Sequence, residues 1–183
     1  MHRLKEQIRA EMRQRLSGLT EDVALRESTA ILQGVIALPS WNKAKSILLF
    51  WPRADEPAIH GLCWEALKAG KVLALPAYDP ETESYLARQV RSLAESELIH
   101  GRFGIAEPSP DCPIVPIEQI EFALVPGLAF DRTGARLGRG RGFYDRLLMG
   151  FLGFACGIGF RFQEYREIPL EPHDRRMDHV LFG

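Results

Sequence analysis

Residues 125–145 read Val-Pro-Gly-Leu-Ala-Phe-Asp-Arg-Thr-Gly-Ala-Arg-Leu-Gly-Arg-Gly-Arg-Gly-Phe-Tyr-Asp. Three arginines, Arg136, Arg139 and Arg141, are interleaved with Gly138, Gly140 and Gly142. The apolar run 122–125 before them has the character of a buried strand, and 143–149 that of a helix. Strand, glycine loop and helix together let backbone N–H groups and a helix N-terminus face a phosphate. Alternate glycines allow close approach of the backbone and positive φ where it is needed. Asp145, just inside the helix, is placed to hold a cation beside that phosphate. The loop lacks the Gly-Lys-Ser/Thr ending of a Walker motif and the spacing of a dinucleotide fingerprint. A plain surface connection is the alternative for any such loop.

More positive charge stands at the other end of the chain. Residues 2–17 carry Leu4, Ile8, Met12 and Leu16 at i+4 spacing, an amphipathic helix whose other faces are basic. Lys5 and Arg9 are one turn apart, so both can reach one anion. A solvated basic face is the bland reading of the same residues.

Val125, Pro126, Gly127, Ala129, Phe130, Asp131, Gly134, Arg136, Leu137, Gly138, Gly140, Gly142, Phe143, Tyr144, Asp145 and Arg146 form a string that resembles the signature of 5-formyltetrahydrofolate cyclo-ligases. Shorter matches accompany it: Lys5 with Arg9, the run 103–108 (Phe-Gly-Ile-Ala-Glu-Pro), Phe160 to Gln163, and His173-Asp174 with Asp178. Two departures are visible. Gly159 stands before Phe160, and Arg139 and Arg141 occupy places where many relatives carry Tyr, Lys or Gly.

The resemblance implies a layered α/β fold and an ATP-dependent conversion of 5-formyltetrahydrofolate to 5,10-methenyltetrahydrofolate, ADP and phosphate. ATP would be held by Lys5, Arg9, Arg136 and the loop from Gly138 through Arg139, Gly140, Arg141, Gly142, Phe143 and Tyr144 to Asp145. Arg139, Arg141 and Tyr144 are the expected catalytic residues, since phosphoryl transfer asks mainly for positioning and charge stabilisation. Glu56, Phe103, Ile105 and Tyr144 would face the folate. Asp145 and Asp178, with phosphate oxygens, would suit Mg²⁺, a hard cation that takes few protein ligands. Each role has a structural rival: helix N-terminal charge for Glu56, a core anchor for Phe103, a surface pair with Arg175 or Arg176 for Asp178. Two other classes stay open, an ATP-using enzyme acting on another formyl or amide substrate and a nucleotide-binding module without turnover.

The elements that must position these residues follow from pattern. Thr20 caps a second helix that runs to about residue 38, where Pro39 ends it. Strand 46–51, a helix over 58–69 opened by Pro57 and stopped by Gly70, and strand 71–75 ended by Pro76 make a βαβ unit. Residues 85–90 are expected as an antiparallel edge strand, 154–160 as another buried strand and 179–182 as a last one. The expected fold is α/β, a single domain over 1–183, with a largely parallel sheet of five or six strands and helices on both faces. Ligands of such sheets bind beyond the carboxyl ends of the strands.

Composition narrows the partners. A net charge of −1 gives no general reason for a nucleic-acid or membrane partner. Cys63, Cys112 and Cys156 are odd in number and far apart, which points to no disulfide framework or zinc site. A charged N-terminus and the lack of a ~20-residue apolar run argue for a cytoplasmic protein. Small molecules, ATP and a reduced folate, are the expected partners of a monomer.

Overall fold

The computed structural model describes residues 2–101, 104–171 and 174–183. Helix α1 (His2–Ser17) buries Lys5, Ile8, Arg9 and Met12, an i, i+3, i+4, i+7 stripe. Leu4, expected inward, is 48% exposed. The two cations displace it because they find carboxylate and carbonyl partners on the protein body. Ile8 and Met12 pack with Leu128, Ala129, Ala135, Leu137 and Ile168.

Helix α2 (Glu21–Ala37) starts where Thr20 Oγ1 accepts from the Val23 N–H at 3.5 Å, and Pro39 opens the short α3 (Pro39–Lys43). Strand β1 (Ser46–Leu48) is shorter than its apolar run. Helix α4 (His60–Lys68) begins three residues after Pro57, so that proline lies outside the helix it was expected to open. Trp64 points to solvent while Cys63 is buried.

Strand β2 (Val72–Asp79) continues through Pro76, which was expected to end it. Even-numbered residues of β2 direct their backbone groups toward β1, as the Leu49 N–H to Ala74 carbonyl bond shows. Strand β1 stops at Leu48, opposite Ala74, so no partner needs the N–H that Pro76 lacks. Strand β3 (Ser84–Val90) pairs antiparallel with β2 as an edge. Strands β4 (Leu98–His100) and β5 (Ala106–Pro108) form a separate hairpin.

Strand β6 (Phe122–Pro126) is buried at every residue, as a strand covered on both faces must be. A small hairpin, β7 (Ala129–Phe130) with β8 (Arg136–Leu137), leads to helix α5 (Phe143–Leu147). Strands β9 (Phe154–Gly159) and β10 (His179–Phe182) complete a six-stranded sheet of order β10-β9-β6-β1-β2-β3. Five strands are parallel, and only β3 runs the other way.

Phe122 and Leu124 of β6 join Ile31, Trp41, Ile59 and Leu62 under α2, α3 and α4. Ala123 and Val125 face the opposite layer, with Phe130, Leu147, Leu148 and Phe151. Helices thus cover both faces. Among the described residues no helix is long and apolar enough to cross a membrane.

Candidate active site

Beyond the carboxyl ends of β1, β2 and β6 a cleft of about 580 Å³ opens. Its lining includes Phe50 and Trp51 after β1, Pro76 of β2, Pro126 of β6 and the whole loop from Gly138 to Gly142. This is the end of a parallel sheet at which α/β proteins bind ligands.

The loop is shaped by its glycines. Gly140 and Gly142 have φ of 100° and 63°, and Gly142 stands left-handed at the start of α5. Helix α5 holds only five residues, shorter than the run 143–149 suggested. A helix this short offers little dipole, so the loop amides and the surrounding cations are the groups available to an anion.

Those cations converge from two parts of the chain, helix α1 and residues 136–141. Arg9 donates from Nε to the Gly138 carbonyl at 2.9 Å and from Nη1 to Glu6 at 2.5 Å. Lys5 Nζ lies 2.7 Å from Asp174 and 3.4 Å from Glu171. Arg139 donates to Asp55 at 2.8 Å and to Glu56 at 3.3 Å. Arg141 lines the cleft beside them. Arg136 works underneath. It is buried, and it binds Asp145 at 2.6 Å and the Pro126 carbonyl at 3.3 Å. Its guanidinium also lies 5.6 Å from the centre of the Tyr144 ring. Arg136 holds Asp145 and Tyr144 in place from below the loop.

Of the folate residues expected from sequence, Glu56, Ile105 and Tyr144 meet the same cleft. Burial pushes the Glu56 carboxyl above its ordinary value, against the pull of the Arg53 N–H and the Arg139 charge. Burial also drives the Tyr144 phenol well above its usual range, and the nearby Glu56 charge adds to this. Ile105 lines the cleft. Phe103 lies outside the described residues, as does His173.

Asp178 does not join Asp145. Its Oδ2 accepts the Ala155 N–H at 2.8 Å, and Arg175 stands 3.9 Å away. Ala155 is the second residue of β9, at the amino end of the sheet, whereas the cleft lies at the carboxyl end. The paired-aspartate metal site expected from sequence is thus split by the length of a strand. The surface-pair alternative, with a backbone bond added, describes Asp178 better.

Sequence reasoning passed over Asp55, Glu107, Tyr85, Glu171 and Asp174 as site residues. Glu107 stood in the run 103–108 and Asp55 beside Glu56, but nothing in either pattern indicated which way the side chains would turn. Glu107 is buried, accepts the Tyr78 N–H at 2.8 Å and lies 3.4 Å from the Tyr85 hydroxyl.

A glycine loop and converging cations at the carboxyl edge of a mostly parallel sheet are features with which an α/β protein can receive an anionic ligand. Comparison with known proteins makes this specific. The model of the 5-formyltetrahydrofolate cyclo-ligase family matches residues 1–183, and the chain belongs to that family of ligases. It is 35% identical to the 5-formyltetrahydrofolate cyclo-ligase of Mycolicibacterium smegmatis, over 98% of this chain and 93% of that one. The mouse cyclo-ligase is 29% identical over 97% of this chain and 93% of its own. Among solved structures, the 5,10-methenyltetrahydrofolate synthetase of Aquifex aeolicus superposes with a TM-score of 0.86 at 34% identity, covering 98% of this chain and 89% of the other.

Proposed function

We propose that this protein closes 5-formyltetrahydrofolate to 5,10-methenyltetrahydrofolate at the expense of ATP, releasing ADP and phosphate. The observation that carries the reading is the meeting, in one cleft, of a cation-rich glycine loop and a desolvated wall with Glu56, Tyr144 and Ile105. Membership of the cyclo-ligase family supports the folate substrate.

A formyl amide oxygen is a poor leaving group, so direct attack by N10 stalls. In the proposed sequence that oxygen attacks the γ-phosphorus and ADP leaves. N10 then bonds to the formyl carbon and loses its proton, and the C–O bond breaks to release phosphate. The protein contributes positioning and charge, not a covalent nucleophile. Lys5, Arg9, Arg139 and Arg141 neutralise the phosphates, with Arg139 and Arg141 nearest the transferring group. Arg136 orients Asp145 and Tyr144. Glu56 and Tyr144 meet the folate between the loop and the far wall.

Among the described residues no group of three His, Cys, Asp or Glu is arranged to hold a metal ion. Mg²⁺ fits nonetheless, because it is commonly bound by one or two carboxylates and substrate phosphates. Asp145 would hold it, and it would screen the charge that develops on the transferred phosphoryl group.

The test is optical. Methenyltetrahydrofolate absorbs in the near ultraviolet and 5-formyltetrahydrofolate does not. An absorbance rise that needs both ATP and Mg²⁺ is expected, and its absence with active folate would sink the reading.

A further inference from the structure

The acids of the cleft are not alike. Glu6 faces Arg9, Glu56 faces Arg139, Asp145 faces Arg136, and Glu171 and Asp174 face Lys5. Glu107, only 6% exposed, has no cation at ion-pair distance among the described residues. Buried carboxylates are ordinarily paired, because an uncompensated charge away from water is costly. A carboxylate offers about four lone-pair sites. Glu107 fills one well, with the Tyr78 N–H at 2.8 Å, and a second poorly, with the Tyr85 hydroxyl at 3.4 Å.

The chain has gone to some length to fix it there. Strand β2 outruns β1, and the Tyr78 N–H left over on that side is the one Glu107 takes. At Gly101 a Cβ would stand 2.3 Å from Glu107 Cγ, so the β4–β5 hairpin closes directly on the carboxylate's stem. Around the carboxylate the walls are flat. Tyr85 packs edge-on against Tyr78 at 5.6 Å and against Phe143 at 5.1 Å. Pro76, Ile105, Tyr85 and Phe143 line the same cleft as Glu107.

We infer that Glu107 is a specificity-determining residue that accepts two hydrogen bonds from the donor edge of the substrate's heterocycle. The inference rests on the folate reading of the preceding section. A phosphate is excluded from this place by the negative charge, and the flat walls select a planar group over a branched aliphatic one. A planar ring with two adjacent N–H donors satisfies both conditions. The aminopyrimidinone of a reduced folate has such an edge in its 2-amino group and ring N3–H. Docked on Glu107, it leaves the formyl-bearing end free to point toward the glycine loop.

The experiment compares 5-formyltetrahydrofolate with its 2-desamino-2-methyl analogue, on the wild type and on Glu107→Gln. On the wild type, removal of the amino group should raise the KM about tenfold to a hundredfold, the usual effect of a lost charge-assisted bond. Glu107→Gln keeps an oxygen for the Tyr78 N–H, so its melting temperature should stay near that of the wild type. Its KM for the natural folate should rise by a similar factor, its KM for ATP should not move, and it should no longer distinguish the two folates. A purely structural Glu107 predicts instead that both enzymes discriminate equally. Should the variant fail to fold, the wild type alone decides, because equal KM values for the two folates overturn the inference. A wild type that makes methenyl product but shows no effect at Glu107 overturns this role only. A wild type that makes no product overturns the folate reading and this inference with it.

Discussion

On the glycine-loop side of the cleft Lys5, Arg9, Arg136 and Arg139 each hold a carboxylate, whereas on the far wall Glu107 is buried without a cation at ion-pair distance among the described residues. Glu56 lies where the two sides meet, touching Arg139 and adding its charge to the burial that raises the Tyr144 phenol. The contrast follows from what each side must take up. On the proposed reading, a tetra-anionic phosphate chain displaces these internal carboxylates from their cations when it binds. A neutral heterocycle cannot displace an ion pair at comparable cost. On the inference drawn for Glu107, the wall that receives it keeps acceptors whose remaining partner is the ligand.

Asp145 gives the largest expected effect, because it belongs to the loop side yet would act on the metal. Asp145→Asn keeps the shape and removes the charge. Turnover should fall at least ~100-fold, about 2.7 kcal/mol of transition-state stabilisation. Excess Mg²⁺ should recover part of the loss by mass action. The same change also leaves Arg136 buried beside a neutral partner, so some stability should be lost. A mutant with a lowered melting temperature, a near-normal rate and an unchanged Mg²⁺ requirement would leave Asp145 with the Arg136 pair as its only role.

Next in size come the cations. Lys5→Ala or Arg139→Ala removes a charge-assisted contact worth roughly 1.5–3 kcal/mol, about tenfold to a hundredfold in ATP affinity. Calorimetric titration with ADP or ATP reads this directly. Unchanged affinity in both would show that the internal carboxylates are permanent partners and not placeholders for phosphate.

Glu56 tests the boundary between the two sides. Glu56→Gln should raise the KM for folate more than that for ATP. It also has a stability signature with a definite sign. Burial raises the carboxyl above its ordinary value of 4.5, so the native state binds a proton at a pH where the unfolded chain does not. Stability contributed by that proton is complete below 4.5 and is lost as pH rises through the raised value. Glu56→Gln should therefore melt higher than the wild type at neutral pH, with the gap closing as pH falls toward 4.5. A gap that is constant with pH would mean that burial does not govern this group.

Sequence legibility differed between the two sides for a physical reason. Strand β6, the glycine loop and the Lys5–Arg9 spacing are local signals, carried by neighbours in the chain. The sheet class followed from apolar runs bounded by glycine and proline. Pro76 misled because its effect depends on where β1 stops, a fact about another strand. Asp178 misled because thirty-three residues separate it from Asp145, and strand β9 places it at the wrong end of the sheet. Glu107 was passed over because its partners, Tyr78 and Tyr85, come from β2 and β3, and only the fold turns its side chain into the cleft.

The smallest expected effect sharpens the comparison most, because its sign should be opposite to that at the far wall. Glu6 is about half exposed, and its pair with Arg9 is a single i, i+3 contact on α1. Arg9 is buried, but with Glu6 half in water the pair is screened, and pairs so screened contribute only a few tenths of a kcal/mol to about 1 kcal/mol. If Glu6 merely holds Arg9 until phosphate arrives, Glu6→Gln removes a competitor, and ATP affinity should rise by up to about fivefold. Salt screens such a pair over roughly 8 Å at physiological ionic strength, so the gain should shrink as salt is added. At Glu107 the same Glu→Gln exchange is expected to weaken its ligand instead. A fall in ATP affinity for Glu6→Gln, persisting at high salt, would make Glu6 part of the anion site's scaffold. The exchange of ligand for internal carboxylate would then fail as an account of the loop side.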